Sequence, residues 1–451
     1  MACSPLTGRN ATDAARALDA NIAADLDAPA VDRISPRDAG PSGDSAACSR
    51  GAAPIVDSRF RVTIEHTGDF TALSVPTPRA AAVDAEGRMY LAGSCYRCVR
   101  GLNINTAVWR FGADGAFDTS YGDRGVALES AAHSTTWFGV TLDAAGRAVV
   151  VGRREGAGPA VARFDVNGAP DEGFNAAWLA SLPVGRLGVG PRLAFSAVAD
   201  AQGVLVVGSD NYTELGEANL GFALRLTEQG EVDATFATGG VYRSEALRGC
   251  FDVVRDGDGW VLGCVSLRQR PVLIRLDAGG RRVAWPSGKM EAEHAIAPTG
   301  FQLRGLRRDS AGRWLAVGAI SRVYFDSGAP AAAVRFLRDG EADPRYGRDG
   351  VAFVHGANQS FTYTYASTAA VTCEDRLVLG VTFGNIPGVA LFDRDGRLLT
   401  GPGDEGVFLT ARRGFGAITF GVLAHGDGVT AVAHYPGPMN SSVSEMFRLR
   451  F

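Results

Sequence analysis

The chain repeats one pattern seven times, and that repetition limits the folds open to it more than any other feature. Short segments recur as AVDAEGRMYLAG (82–93), TLDAAGRAVVVG (141–152), VADAQGVLVVG (198–208), VRDGDGWVLG (254–263) and RRDSAGRWLAVG (307–318). Two looser copies are VTCEDRLVLG (371–380) and LAHGDGVTAVA (423–433). Each joins an alternating apolar run, an Asp/Gly turn and a Val/Leu-rich run, which is hairpin chemistry. The turns recur at intervals of 53 to 63 residues. A second element follows: VWRFGADGAFDTSYG (108–122), VARFDVNGAPDEGFN (161–175), ALRLTEQGEVDATFA (223–237) and AVRFLRDGEADPRYG (333–347), with weaker copies at 273–281 and 390–397. A short apolar strand such as GVALE (125–129) or GVAFV (350–354) closes the unit. Four strands per unit without a helical period match the blade of a β-propeller, whereas a sandwich would not repeat its sequence.

The reading is therefore all-β: a single seven-bladed β-propeller of four-stranded blades over residues 56–451, behind a disordered tether of residues 1–55. The tether is rich in Ala, Asp, Pro, Ser and Gly and has no Phe, Trp or Tyr, so it cannot bury enough apolar surface to offset its ordering entropy. The seventh unit ends at Phe451 after its third strand, while Asp57-Ser58-Arg59-Phe60 repeats the Asp-to-aromatic step at the other end of the chain. The last blade is thus expected to be completed by residues 60–65, with 61–65 antiparallel to the strand around Met446–Arg450 and Asp57 meeting Arg448. Such closure removes an open edge.

Taken together, these units resemble the delta-60 repeat family, whose pattern runs xDG-x-(apolar)-G, then (R)-(aromatic)-x-x-DG-x-x-D-x-x-F-G. The likeness covers residues from Val56 onward and is clearest in the first, second, third and fifth units. The resemblance implies a bacterial propeller, often in secreted or surface proteins, without an established catalytic role.

Composition removes several activities. The net charge is -4, which argues against a basic surface for nucleic acid. Lys289 is the only lysine, so Schiff-base and P-loop chemistry lack raw material, and no Walker, dinucleotide or G-x-S-x-G fingerprint occurs. The turns at Asp165-Val166-Asn167-Gly168 and Asp393-Arg394-Asp395-Gly396 lack the further ligands of a calcium loop. None of the six histidines stands in an H-x-x-x-H arrangement, and each reads as a surface residue. No catalytic residue, cofactor or metal is predicted.

Four Arg/Asp pairs keep a spacing of eight: Arg110/Asp118, Arg163/Asp171, Arg225/Asp233 and Arg335/Asp343, each followed by an aromatic three residues on. They read as charge-assisted hydrogen bonds that fix the blade corners. Cysteines number seven. Cys3 follows a small residue and precedes the polar tether, as in a bacterial lipoprotein after processing, so it is a candidate for lipidation. The other six are even in number, which suits export: Cys95 with Cys98 as a small loop disulfide, Cys250 with Cys264 across a hairpin, and Cys48 with Cys373.

Loop lengths are lopsided, and the long-loop rim carries Trp137, Trp178, Trp285, Tyr96, Tyr212, Tyr324, Tyr363, Tyr365 and Tyr435. Aromatics on loops over a rigid scaffold suit a protein- or glycan-binding face, or they pack beneath their own loops. The reading is an exported, lipid-anchored, monomeric, non-enzymatic propeller that touches the membrane only through that anchor. The alternatives are a carbohydrate-active enzyme with acids about 5–9 Å apart at the channel mouth, and a cytoplasmic location.

Overall fold

The structure is a computed structural model that describes residues 55–66, 76–96, 104–129, 135–154, 158–181, 192–210, 220–295, 300–320, 330–354, 364–383, 385–399, 407–410, 417–425, 428–436 and 442–450. Side chains within 55–66, 76–78, 94–96, 104–106 and 364–367, and at 192, 425, 436 and 442, lie outside this description. Seven antiparallel sheets follow one another along the chain. Their innermost strands are Pro76–Val83, Thr135–Leu142, Arg192–Asp200, Leu247–Asp256, Phe301–Arg308, Thr364–Val371 and Ile418–His425. Each of these packs against its counterparts in the two neighbouring sheets, and the last meets the first. This is a closed seven-bladed propeller.

The second strand of each blade shows why the sequence folds this way. Strands such as Met89–Tyr96 and Ala148–Arg154 are apolar on both faces because both faces are covered. Met89 and Leu91 pack toward the seventh blade, with Phe420 and Val432. Tyr90 and Ala92 pack toward the second, with Trp137 and Val150. Period-two alternation thus serves two interfaces at once. One apolar cluster fills each of the seven blade interfaces.

Closure follows the expected plan. Strand Ile55–His66 lies outside Ser442–Arg450 as the fourth strand of the last blade. The register is Arg61↔Phe447, Val62↔Met446, Thr63↔Glu445, Ile64↔Ser444 and Glu65↔Val443, so residues 61–65 pair antiparallel with the C-terminal strand. A register shift between Val56 and Arg61 separates this stretch from the pairs Ile55↔Arg450 and Val56↔Leu449. The Asp57 side chain lies outside the described residues, while Arg448 donates to Thr430 Oγ1 and to the Ala113 carbonyl.

The second blade departs from the four-stranded pattern. Among the described residues it has three strands, followed by helix Glu172–Ser181 where its neighbours place their outer strand. Asp171 caps this helix by accepting from the Phe174 N–H at 3.1 Å, and Glu172 suits its positive end. Phe174 and Trp178, four residues apart, bury one helical face against the third blade.

Candidate functional site at the channel wall

Every innermost strand carries a β-bulge at the same place, and that of the fourth blade has a second one at Arg248. The register shifts at Arg79, Phe138, Phe195, Phe251, Arg304, Ser367 and Phe420. Each bulged residue lies five positions before the first residue of its hairpin turn: Asp84, Asp143, Asp200, Asp256, Asp309, Thr372 and His425. In six blades a glycine on the second strand stands beside the bulge: Gly93, Gly152, Gly208, Gly263, Gly318 and Gly380. A Cβ on Gly152 or Gly318 would stand 1.9 Å from the carbonyl oxygen of Thr136 or Gln302. Those glycines admit the displaced backbone of the inner strand. An innermost strand spends both faces on the neighbouring blades, and a bulge takes its extra residue out of that alternation.

The bulged side chains form a contiguous arc through the second, third and fourth blades. Phe138 and Phe195 have ring centroids 6.0 Å apart, and Phe195 stacks on Phe251 at 4.8 Å. The Arg79 guanidinium sits 5.8 Å from the Phe138 centroid. All three phenylalanines are half-buried and Arg79 is exposed. Phe420 instead turns into the interface between the seventh and first blades.

Beside the arc, a polar chain ties four inner strands together. Asp252 accepts from Ser196 Oγ at 2.7 Å, from the Leu306 N–H at 2.8 Å and from Arg307 Nη1 at 2.8 Å. Arg307 Nε donates to the Ala369 carbonyl at 2.7 Å. Nearer the turn rim, Asp200 accepts from Arg225 at 2.5 Å and from Arg255, and Asp256 meets Arg308 at 3.1 Å and Arg275 at 3.3 Å. Burial pushes the Asp200 carboxyl up, but Arg225, the Gln202 N–H and Arg255 outweigh it and hold it below the usual carboxylate range.

The blade corners follow the Arg/Asp reading in three of four cases. Arg110 Nε meets Asp118 at 2.7 Å, Arg163 Nε meets Asp171 at 2.8 Å and Arg335 Nε meets Asp343 at 2.8 Å. Each guanidinium lies over the aromatic that follows, Tyr121, Phe174 or Tyr346. Each also donates Nη1 to a turn carbonyl of the next blade, Val166, Glu228 or Arg394, so the corner locks blade to blade. The fourth pair is a correction. Arg225 turns to Asp200, and Asp233 accepts from the Thr235 N–H and hydroxyl instead. The cause is in the hairpin: in the first, second and fifth blades an arginine four residues after the turn Asp occupies it, as Arg88, Arg147 and Arg313 do. The third blade has Val204 there, which leaves Asp200 for Arg225.

The aromatic-rim reading needs a larger correction. Trp137, Trp178, Trp285 and Tyr435 are all at most 3 % exposed. Trp137 fills the interface between the first and second blades, and Trp178 sits on the helix. Trp285 packs edge-on against Trp314, and the Tyr435 hydroxyl donates to Glu445 at 3.0 Å. They are large apolar groups spent on packing. The side chains of Tyr96, Tyr212, Tyr324, Tyr363 and Tyr365 lie outside the described residues. His294 and His434, read as surface residues, are buried, and burial lowers the His294 pKa to about 4.

Cys250 and Cys264 face each other across the fourth hairpin and form a disulfide. Cys373 is also disulfide-bonded. The side chains of Cys3, Cys48, Cys95 and Cys98 lie outside the described residues. Among the described residues no helix is long and apolar enough to cross a membrane.

No protein-family model matches the chain, and no curated protein matches it in sequence. Several solved structures are similar to it at low identity. The AfRom2 CNH domain has 9 % identity and a TM-score of 0.47, over 85 % of this chain and 98 % of that one. A periplasmic gluconolactonase of Pseudomonas aeruginosa has 15 % identity and a TM-score of 0.43, over 80 % and 95 %. The polysaccharide lyase Uly1 has 8 % identity and a TM-score of 0.43, over 88 % and 99 %. Likeness at this level decides nothing about activity, and the propeller stands on the strand order and its closure.

Proposed function

We propose that the chain is an exported, non-enzymatic propeller of the delta-60 repeat type that binds protein or glycan at the cell surface as a monomer. One observation carries the non-enzymatic reading: Asp200, Asp252 and Asp256, the described acids of the third and fourth inner strands, are each held by arginine. A glycosidase-like mechanism wants a carboxyl that can exchange a proton, whereas the Asp200 carboxyl is held below the usual carboxylate range by its arginines and the Gln202 N–H. Three disulfide-bonded cysteines, Cys250, Cys264 and Cys373, support an oxidising compartment. Lipid on Cys3 would supply the anchor. The binding face is the long-loop rim with Tyr96, Tyr212, Tyr324 and Tyr363.

The protein is incubated with a panel of neutral and acidic polysaccharides, and both retention and product release are read. Retention without new chain ends, lost in the combined Tyr212→Ala, Tyr324→Ala and Tyr363→Ala variant, is expected. Release of oligosaccharides would overturn the non-enzymatic reading. The intact mass of the protein isolated from its host reads the lipid and the disulfides directly.

A further inference from the structure

We propose that Cys373 is bonded to Cys48, and that this bond is a reducible clasp on the closure of the propeller. Cys373 is disulfide-bonded and exposed, in the hairpin turn 372–376 of the sixth blade. That turn is a firm anchor. The Thr372 N–H donates to the Arg376 carbonyl at 2.9 Å, and Asp375 accepts from the N–H and the hydroxyl of Ser310, in the fifth blade, at 2.7 Å each. The described strands exclude most partners. Cys250 and Cys264 are bonded to each other. Cys95 faces Pro76, about 20 Å along its strand from the turn of the first blade, and the seventh blade stands between the first and the sixth. Cys98 follows that strand, on the same side away from the turns. A disulfide needs Cα atoms within about 7 Å, so neither can serve.

Cys48 meets the geometry. Ile55 faces Arg450, which in turn faces Gly428 in the hairpin turn of the seventh blade, so the closing strand enters on the turn face. The sixth blade is next to it. Cys48 lies seven residues before Ile55, a reach of up to about 25 Å, against about 14 Å for the width of a four-stranded blade. Cys3 lies 52 residues before Ile55, and closing so long a loop is about twentyfold less probable. The bond also sits where closure needs it. Of the eight residue pairs that hold the closing strand, only Ile55↔Arg450 and Val56↔Leu449 lie on the turn side of its register shift. A link from Cys48 to the sixth blade secures that end. Cys250 and Cys264 are fully buried whereas Cys373 is exposed, so a dithiol reaches the clasp first. It breaks the S–S bond through a mixed disulfide, gives up two electrons and two protons, and leaves thiols at Cys48 and Cys373 and its own cyclic disulfide. This inference rests on neither the binding rim nor the lipid anchor.

The test maps the bonds of the full chain by tryptic digestion without reductant, followed by mass spectrometry. Each cysteine falls in its own tryptic peptide, Cys48 in 38–50 and Cys373 in 349–376, with Cys95 and Cys98 split at Arg97. Peptides 38–50 and 349–376 are expected joined. Peptide 349–376 joined to any other cysteine peptide, or free, would overturn the pairing. Native protein is then exposed to dithiothreitol and alkylated over time. Cys48 and Cys373 should be labelled about tenfold or more faster than Cys250 and Cys264, and equal rates would overturn the reducible clasp. Limited trypsin digestion reads the closure itself. Cleavage at Arg59 and Arg61 should be about fivefold or more faster in Cys48→Ser/Cys373→Ser than in the wild type. Dithiothreitol-treated wild type supplies the same comparison if that variant does not fold, and an unchanged rate would show that the bond does not guard the closing strand. None of these readouts uses a ligand, so failure of the rim reading and failure of this one are told apart.

Discussion

The corner lock of the fifth blade offers the sharpest test of how the blades hold together. Arg335 and Asp343 are 4 % and 5 % exposed, and both Nε and Nη2 of Arg335 lie within 2.8 Å of the same carboxylate oxygen. Arg335→Met keeps most of the volume and the contact with Tyr346 but leaves Asp343 charged and without its counter-ion. Removing one partner of a buried pair costs about 3–5 kcal/mol. For a propeller of about 400 residues the unfolding entropy near the midpoint is about 0.8 kcal/mol/K, so Tm should fall by about 4–6 °C.

Calorimetry on the variant at pH 7 reads that shift. Adding Asp343→Leu should recover most of the loss, since a buried pair exchanged for apolar groups is nearly neutral. The exposed pair Lys289–Glu341 is the control, and Lys289→Ala should cost no more than about 1 kcal/mol. A loss below about 1 °C, or a double variant no better than the single one, would refute the reasoning.

Three further outcomes follow from the same geometry. The Cys250–Cys264 bridge closes a span of 14 residues, so the paired alanine variant should lose about 3 kcal/mol, read by thermal melts with and without reductant. His294 has a folded pKa of about 4 against 6.5 unfolded, so the unfolded chain binds the extra proton as pH falls through that window. Stability should drop by about 2 kcal/mol between pH 7 and pH 5, a slope that His294→Gln should flatten. Deleting residues 56–65 should strip the outer strand from the last blade and lower Tm markedly, whereas deleting residues 4–47 should leave it unchanged.

Much of the scaffold was legible in the chain because hairpin chemistry and its phase repeat every unit. The same repetition made the closure readable, since a missing outer strand at one end matched an orphan strand at the other. What escaped notice has physical reasons. Trp137 precedes its bulge on strand Thr135–Leu142, and the extra residue breaks the alternation by which that strand would announce itself. Phe174 and Trp178 have helical spacing, but only one turn of it, in a chain that otherwise counts in twos. The Arg225 exchange turns on Val204, a single position outside the pair itself. The bulge ring did leave a signal, a fixed distance of five residues before each turn with a glycine on the facing strand. It is visible only when the repeats are aligned on their turns rather than on their apolar runs.

That ring separates what the scaffold requires from what the channel carries. The facing position is glycine in six blades, while the bulged residue is Arg, Phe, Phe, Phe, Arg, Ser and Phe in turn. Backbone geometry is therefore constrained at the glycine and side-chain identity is free at the bulge. Two adjacent residues make the point measurable. Trp137 is fully buried between blades, and Trp137→Ser should cost at least the 3–5 kcal/mol typical of emptying a large core site. Phe138, one residue on, is half-buried at the channel wall, and Phe138→Ser should cost no more than about 1–1.5 kcal/mol, roughly half of a full phenylalanine burial. Chemical denaturation of the two variants reads the difference at equal m-value. If Phe138→Ser is as damaging as Trp137→Ser, the bulged side chain belongs to the core, and the channel wall is not free to take on its own chemistry.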